Sequence, residues 1–107
     1  MKHLSTKDKN KFIVMKTKEC KRQRVPGYGK VAVTLSTGKD VWAIFIIEEF
    51  DNNCVKLQPA EEFKPRVQHT WWHRSKIDEW LNEGLAVVIS DYDVAIEKLN
   101  LIKKVYE

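Results

Sequence analysis

The run Val41-Trp42-Ala43-Ile44-Phe45-Ile46-Ile47 is apolar at every position. A strand with one wet face alternates apolar and polar residues, and seven residues bounded by turn signals are short for a helix. The run therefore reads as a central strand covered on both sides. A covered strand needs neighbours, and the flanking sequence offers them. Val31, Val33 and Leu35 alternate with Ala32, Thr34 and Ser36, which is the period of a half-buried strand. Thr37-Gly38-Lys39-Asp40 between the two runs has the composition of a turn, as does Asp51-Asn52-Asn53, after which Cys54-Val55-Lys56-Leu57 supplies a further strand. Phe12-Ile13-Val14-Met15 is a short, β-rich run between lysines and is expected as the first strand. Strands joined by short turns make an antiparallel meander.

Beyond Pro59 to Pro65, which break regular structure, the period lengthens. Ser75 followed by Asp78 has the spacing of a helix N-cap. Ile77, Trp80 and Leu81 then share a face, and Gly84 ends the helix. Leu85-Ala86-Val87-Val88-Ile89 is too short and too β-branched to be helical and is expected as a returning strand. Ser90-Asp91-Tyr92-Asp93 opens a second helix with Tyr92, Ile96, Leu99 and Ile102 on one side, and Lys103-Lys104 suit its C-terminal dipole. The expected order is β-β-β-β-α-β-α. This is an α+β fold: a small, strongly twisted antiparallel sheet with two C-terminal helices over one face or one open end. Residues 1–10 carry no apolar periodicity and are expected as a flexible basic tail, leaving residues 11–107 as a single α+β domain.

Charge narrows the function classes. Residues 1–30 hold ten Lys and Arg against Asp8 and Glu19, whereas residues 31–107 hold nine against thirteen acids. The basic part meets the expectation for a polyanion partner, RNA or DNA, or for an acidic protein. Lys21, Arg22, Arg24 and Lys30 surround Pro26-Gly27-Tyr28-Gly29, so these cations and Tyr28 are expected on a loop beside the sheet, following a phosphate backbone. No apolar run approaches the length that spans a bilayer and no leader-like apolar stretch opens the chain, so a cytoplasmic protein is expected, with no membrane partner. Cys20 and Cys54 form no close pair, and reduced thiols are expected. No phosphate-cradling glycine loop, zinc-protease motif or cofactor fingerprint occurs, so no metal or cofactor is expected.

The segment His69-Thr70-Trp71-Trp72-His73-Arg74-Ser75-Lys76 concentrates the remaining chemistry. Flat rings beside cations suit single-stranded nucleic acid, because any base can stack on them. If the segment is extended, Trp71 and Trp72 face opposite ways. Trp72, with His73 and Arg74, is assigned to the binding surface and Trp71 to the core, an assignment that strand parity allows to be exchanged. A metal site from His69, His73 and the cysteines lacks the close cysteine pair that structural zinc sites use. A small toxin-like ribonuclease, with His69, His73 or Glu49 as acid and base, is a lesser alternative.

The rhythm of strands from Tyr28 to Leu57 resembles an SH3-like small barrel of the kind found in Tudor and KOW modules. That resemblance implies a closed barrel and, for a Tudor-like module, an aromatic cage, for which Tyr28, Trp42 and Phe45 are the available rings. In general style the chain also resembles phage and mobile-element accessory proteins that bind a host factor. Two functional readings thus stand side by side. One is a nucleic-acid-binding module working through backbone contacts and stacking. The other is a protein-interaction module that regulates or inhibits a host factor, with the aromatic segment as its anchor.

Overall fold

The computed structural model describes residues 2–24, 32–64, 67 and 70–106, with the backbone alone at 22–24, 32–34 and 106. Five strands form one antiparallel sheet: β1 (Phe12–Arg24), β2 (Ala32–Phe50), β3 (Cys54–Pro59), β4 (Thr70–His73) and β5 (Ala86–Ile89), in the order β4-β3-β2-β1-β5. Two α-helices, α1 (Arg74–Glu83) and α2 (Tyr92–Tyr106), complete the fold. The sheet is open, with β4 and β5 as its edges. The closed SH3-like barrel is therefore not what these strands build.

Alternation along the strands sorts the core into two faces. Ile13 and Met15 pair with Phe45 and Ala43, and the same face continues through Ile47, Leu57, Val55 and Trp72 by register. Phe12, Val14 and Lys16 pair with Ile46, Ile44 and Trp42 on the other face. Trp72 meets Trp80 of α1 edge-on, with 5.5 Å between ring centroids, so α1 covers the first face. Phe12 meets Tyr92 of α2 at 5.2 Å, so α2 covers the second. The helices thus lie on opposite faces rather than together on one. That is what the all-apolar run in β2 demands, since Trp42, Ala43, Ile44, Phe45 and Ile47 are all buried. Because every neighbouring pair is antiparallel, β4 and β5 run the same way, and α1 carries the chain across the sheet from one edge to the other.

Two local expectations change. Thr37–Asp40 is not a turn: β2 runs through it, and the register passes from Lys18↔Asp40 to Cys20↔Ser36, leaving Glu19 opposite Thr37, Gly38 and Lys39. This is a β-bulge. Gly38 takes φ +80°, the left-handed conformation that glycine adopts in turns and bulges alike. The Ser36 and Thr37 hydroxyls accept from the Gly38 and Lys39 amides at 3.2 and 3.3 Å, replacing ladder bonds lost there. The helix α1 does not start on Ser75 either. His73 is its N-cap, the Arg74 amide donates to the Asn53 carbonyl at 2.9 Å, and the Asp78 carboxylate accepts from the Leu4 amide at 2.7 Å. With Asp78 engaged elsewhere, the expected Ser75–Asp78 cap does not form. The second helix does start as its sequence indicates, the Asp91 carboxylate accepting from the Asp93 and Val94 amides at 2.8 and 3.3 Å.

The chain before β1, expected as a flexible tail, is a strap over α1. Leu4 is 2% exposed, its carbonyl accepts from the Arg74 guanidinium at 2.8 Å, and Lys2 exchanges hydrogen bonds with the Asn82 side chain. Further along, the Asn10 amide donates to the Ile47 carbonyl at 2.7 Å and the Ile47 amide to Lys11 at 2.9 Å.

Candidate functional site

The longest element pair runs on past the sheet's body. The pairing of β1 with β5 ends at Met15↔Ala86, and that of β2 with β3 ends at Phe45↔Pro59, while β1 and β2 stay paired to Arg24↔Ala32. From Lys16 outward they form a two-stranded ribbon. Nine residues of β1 at about 3.4 Å each give it a length of about 30 Å. Charge collects on it. Its described strands, residues 16–24 and 32–40, carry Lys16, Lys18, Lys21, Arg22, Arg24 and Lys39 against Glu19 and Asp40, a formal +4 in a chain whose total is +4. The rest of the protein is thus close to neutral.

Three predicted phosphate-binding residues therefore stand on a strand rather than a loop: Lys21 is exposed, opposite Leu35, while Arg22 and Arg24 pair in register with Thr34 and Ala32. Tyr28, Lys30 and the turn read at Pro26-Gly27 lie outside the described residues, as does His69. At the ribbon's foot, Lys18 and Lys16 flank Asp40, with Nζ–carboxylate distances of 2.6 and 3.6 Å. The Lys18 hydrogen bond, with the charge of both lysines, holds the Asp40 carboxyl below its ordinary value. One carboxylate shared by two ammonium groups leaves a net positive charge there.

Beside this foot opens a cleft of about 580 Å³. Its walls are Lys16 to Lys18 and Cys20 on β1, Ser36 and Asp40 on β2, Thr70 to Trp72 on β4, Trp80 near the end of α1 and Leu85 just beyond it. The tryptophan pair takes the exchanged arrangement. Trp71 is 45% exposed with the Lys56 ammonium 5.9 Å from its ring, whereas Trp72 is half-buried against the core. Trp72 was the wrong choice for a freely exposed platform, because β4 pairs Trp72 with the buried Val55 and Trp71 with Lys56. Its indole Nε1 is buried without a hydrogen-bond partner.

The other predicted residues separate from this site. Arg74 donates to the Leu4 carbonyl, lies 5.1 Å from the Phe50 ring and lines, with His73, a depression other than this cleft. His73 is exposed and lines a second depression of about 500 Å³ with His3, Asn52 and Asp78, where His3 Nδ1 lies 3.4 Å from the Asp78 carboxylate. Glu49 stands opposite Lys56 in register, away from His73, which pairs with Cys54. The Tudor-like cage does not assemble: Trp42 and Phe45 are 7% and 0% exposed, and their parity sends them to opposite faces. Both cysteines are free thiols. Among the described residues no three His, Cys, Asp or Glu side chains converge as metal ligands, and no helix is long and apolar enough to cross a membrane. Of the cleft's lining only Trp72 was among the predicted binding residues; the others, Thr17, Cys20, Thr70, Trp80 and Leu85 among them, share no signal but their meeting in space. Comparison with protein-family models, curated proteins and solved structures gives no match.

Proposed function

We propose that the protein binds nucleic acid through the β1–β2 ribbon, chiefly by contacts to the phosphate backbone. The observation that carries this reading is the coincidence of shape and charge. All of the formal charge excess falls on one two-stranded arm, and an antiparallel ribbon is one of the two elements that a DNA major groove admits. Cations on an extended strand recur at strand spacing on each face, and such contacts give affinity with little sequence choice.

The test is a titration of labelled duplex and single-stranded oligonucleotides between about 50 and 200 mM salt. Each phosphate contact contributes roughly 0.7 to 0.9 to the slope of log affinity against log salt. Replacing Lys21, Arg22 and Arg24 together with alanine flattens that slope by about 2 to 3 units. Over a fourfold rise in salt, wild type then loses roughly 20- to 40-fold more affinity than the variant. Failure of wild type to bind any oligonucleotide at about 50 mM salt refutes the reading.

A second reading is supported by α2, whose Val94, Leu101 and Val105 are 49%, 59% and 75% exposed along one side. An apolar stripe of that kind suits a protein partner, and co-purification from the native cell distinguishes it from the first.

A further inference from the structure

The cleft at the foot of the ribbon has a chemistry of its own. Thr17, Thr70 and Trp72 share the α1 face of the sheet by register, and Trp80 near the end of α1 and Leu85 just beyond it close the cleft. Its volume, about 580 Å³, lies within the range that holds small organic ligands. Three tryptophans and a leucine give flat and apolar lining, while Thr17, Thr70 and Ser36 add hydroxyls that can donate or accept.

The charge at the mouth selects among ligands. Lys16 and Lys18 border the cleft, rooted on the ribbon face opposite Thr17, and the one carboxylate among its described lining residues, Asp40, is already paired with both. A cationic ligand such as a methylated lysine meets two ammonium groups and no free acid. Inorganic phosphate alone leaves the indole walls unused. A flat heteroaromatic ring joined to a phosphate uses both parts.

We infer that the cleft between β4, the end of α1 and the ribbon's foot binds a single unstacked nucleotide, its base against Trp72 and Trp80 and its phosphate toward Lys16 and Lys18. The nucleotide has two sources, a free mononucleotide or an unpaired residue in a strand held by the ribbon. Only the second rests on the nucleic-acid reading above. In that case the protein prefers strands with an unpaired base over continuous duplex, because a paired base must first be unstacked.

The experiment uses the full chain in two arms. In the first, a purine nucleoside monophosphate is titrated while tryptophan fluorescence is followed, with inorganic phosphate as the control. In the second, affinities are compared for a continuous duplex and the same duplex carrying one unpaired purine. Saturable quenching by the nucleotide and not by phosphate is expected, together with roughly 5- to 150-fold tighter binding of the interrupted duplex, the range that stacking on one aromatic platform provides. Trp80→Ala removes the preference. Because that change also alters packing against Trp72, Thr17→Phe is the second variant. It fills the cleft from the ribbon without removing a core side chain, and it abolishes quenching and preference while the unfolding midpoint is kept. Quenching without a preference between duplexes assigns the cleft to free nucleotide. Neither quenching nor preference, in a protein that binds continuous duplex, overturns the cleft and leaves the ribbon reading standing. Quenching in a protein that binds no oligonucleotide overturns the ribbon reading and leaves the cleft standing.

Discussion

Leu4 offers a direct measure of the N-terminal strap. Its side chain is 2% exposed, in a segment otherwise held by the Leu4 amide to Asp78, the Arg74 guanidinium to the Leu4 carbonyl, and the Lys2–Asn82 pair. Leu4→Ala removes the burial and keeps all of those backbone bonds. Area transfer alone gives about 1.5 to 3 kcal/mol for a buried leucine, and an unrelaxed cavity raises that to about 2 to 5 kcal/mol. The strap limits the loss, because residues 2–5 can leave the surface and regain about 1 kcal/mol or more of backbone entropy each. The cost therefore cannot exceed the net docking free energy of the strap, and about 2 kcal/mol is expected. For a chain of this size that corresponds to a fall of about 8 °C in the unfolding midpoint, measured by circular dichroism or calorimetry. Deleting residues 2–5 gives the companion number. If the strap leaves as a unit, deletion and Leu4→Ala cost nearly the same; if it stays, deletion costs more. A loss below about 0.5 kcal/mol in both variants refutes the argument that Leu4 is core.

Trp72→Ala lowers stability by about 3 kcal/mol, the scale of a large aromatic taken from a packed site, whereas Trp71→Ala changes it by less than about 0.5 kcal/mol; chemical denaturation of both separates the inner from the outer ring. Asp40→Asn leaves Lys16 and Lys18 without their shared counter-charge, so oligonucleotide affinity rises and its salt dependence steepens, read in the titration already described. The Tyr92 hydroxyl, desolvated and donating to the Glu62 carboxylate, has its pKa pushed up to about 12. The folded state therefore holds this proton more tightly than the unfolded chain, and its contribution is complete below about pH 10 and lost as pH rises toward 12. Because the group is largely exposed, the effect is small. It shows as a steeper fall of midpoint across that window in wild type than in Tyr92→Phe.

The legible parts of the fold were those with a dry side. Val41–Ile47, Cys54–Leu57, Ala86–Ile89 and α2 bury apolar residues at the period of their element, and their sequences state it. The outer half of β1 does the opposite. Lys16, Lys18 and Lys21 are exposed on a ribbon that no further strand flanks, and Arg22 and Arg24 follow on the same strand, so no apolar alternation exists to be read, and a strand looks like a cationic loop. Bulge and turn share one glycine requirement, which is why Gly38 pointed to the wrong one. A single leucine has no period, and Leu4 is invisible for that reason. At the site, parity in β4 established that Trp71 and Trp72 face apart. Which ring is inside depends on whether each stands opposite Val55 or Lys56, and that register is set by β3 rather than by the segment itself.

The pairing of β1 with β5 has a consequence for the order in which the protein can be made. Phe12 to Met15 need Ala86 to Ile89 as their outer neighbour, and Leu4 needs α1, so these residues wait for segments translated well after them. At ribosomal speeds of about 5 to 20 residues per second, some 70 residues of delay amount to roughly 4 to 14 seconds. During that interval the hairpin of β1 and β2 can close, but its apolar inner half presents an unpaired edge, the kind of surface on which nascent chains associate. The lysines on both sides of Phe12–Met15, at 9, 11, 16 and 18, stand where mutual repulsion keeps two such unfinished edges apart.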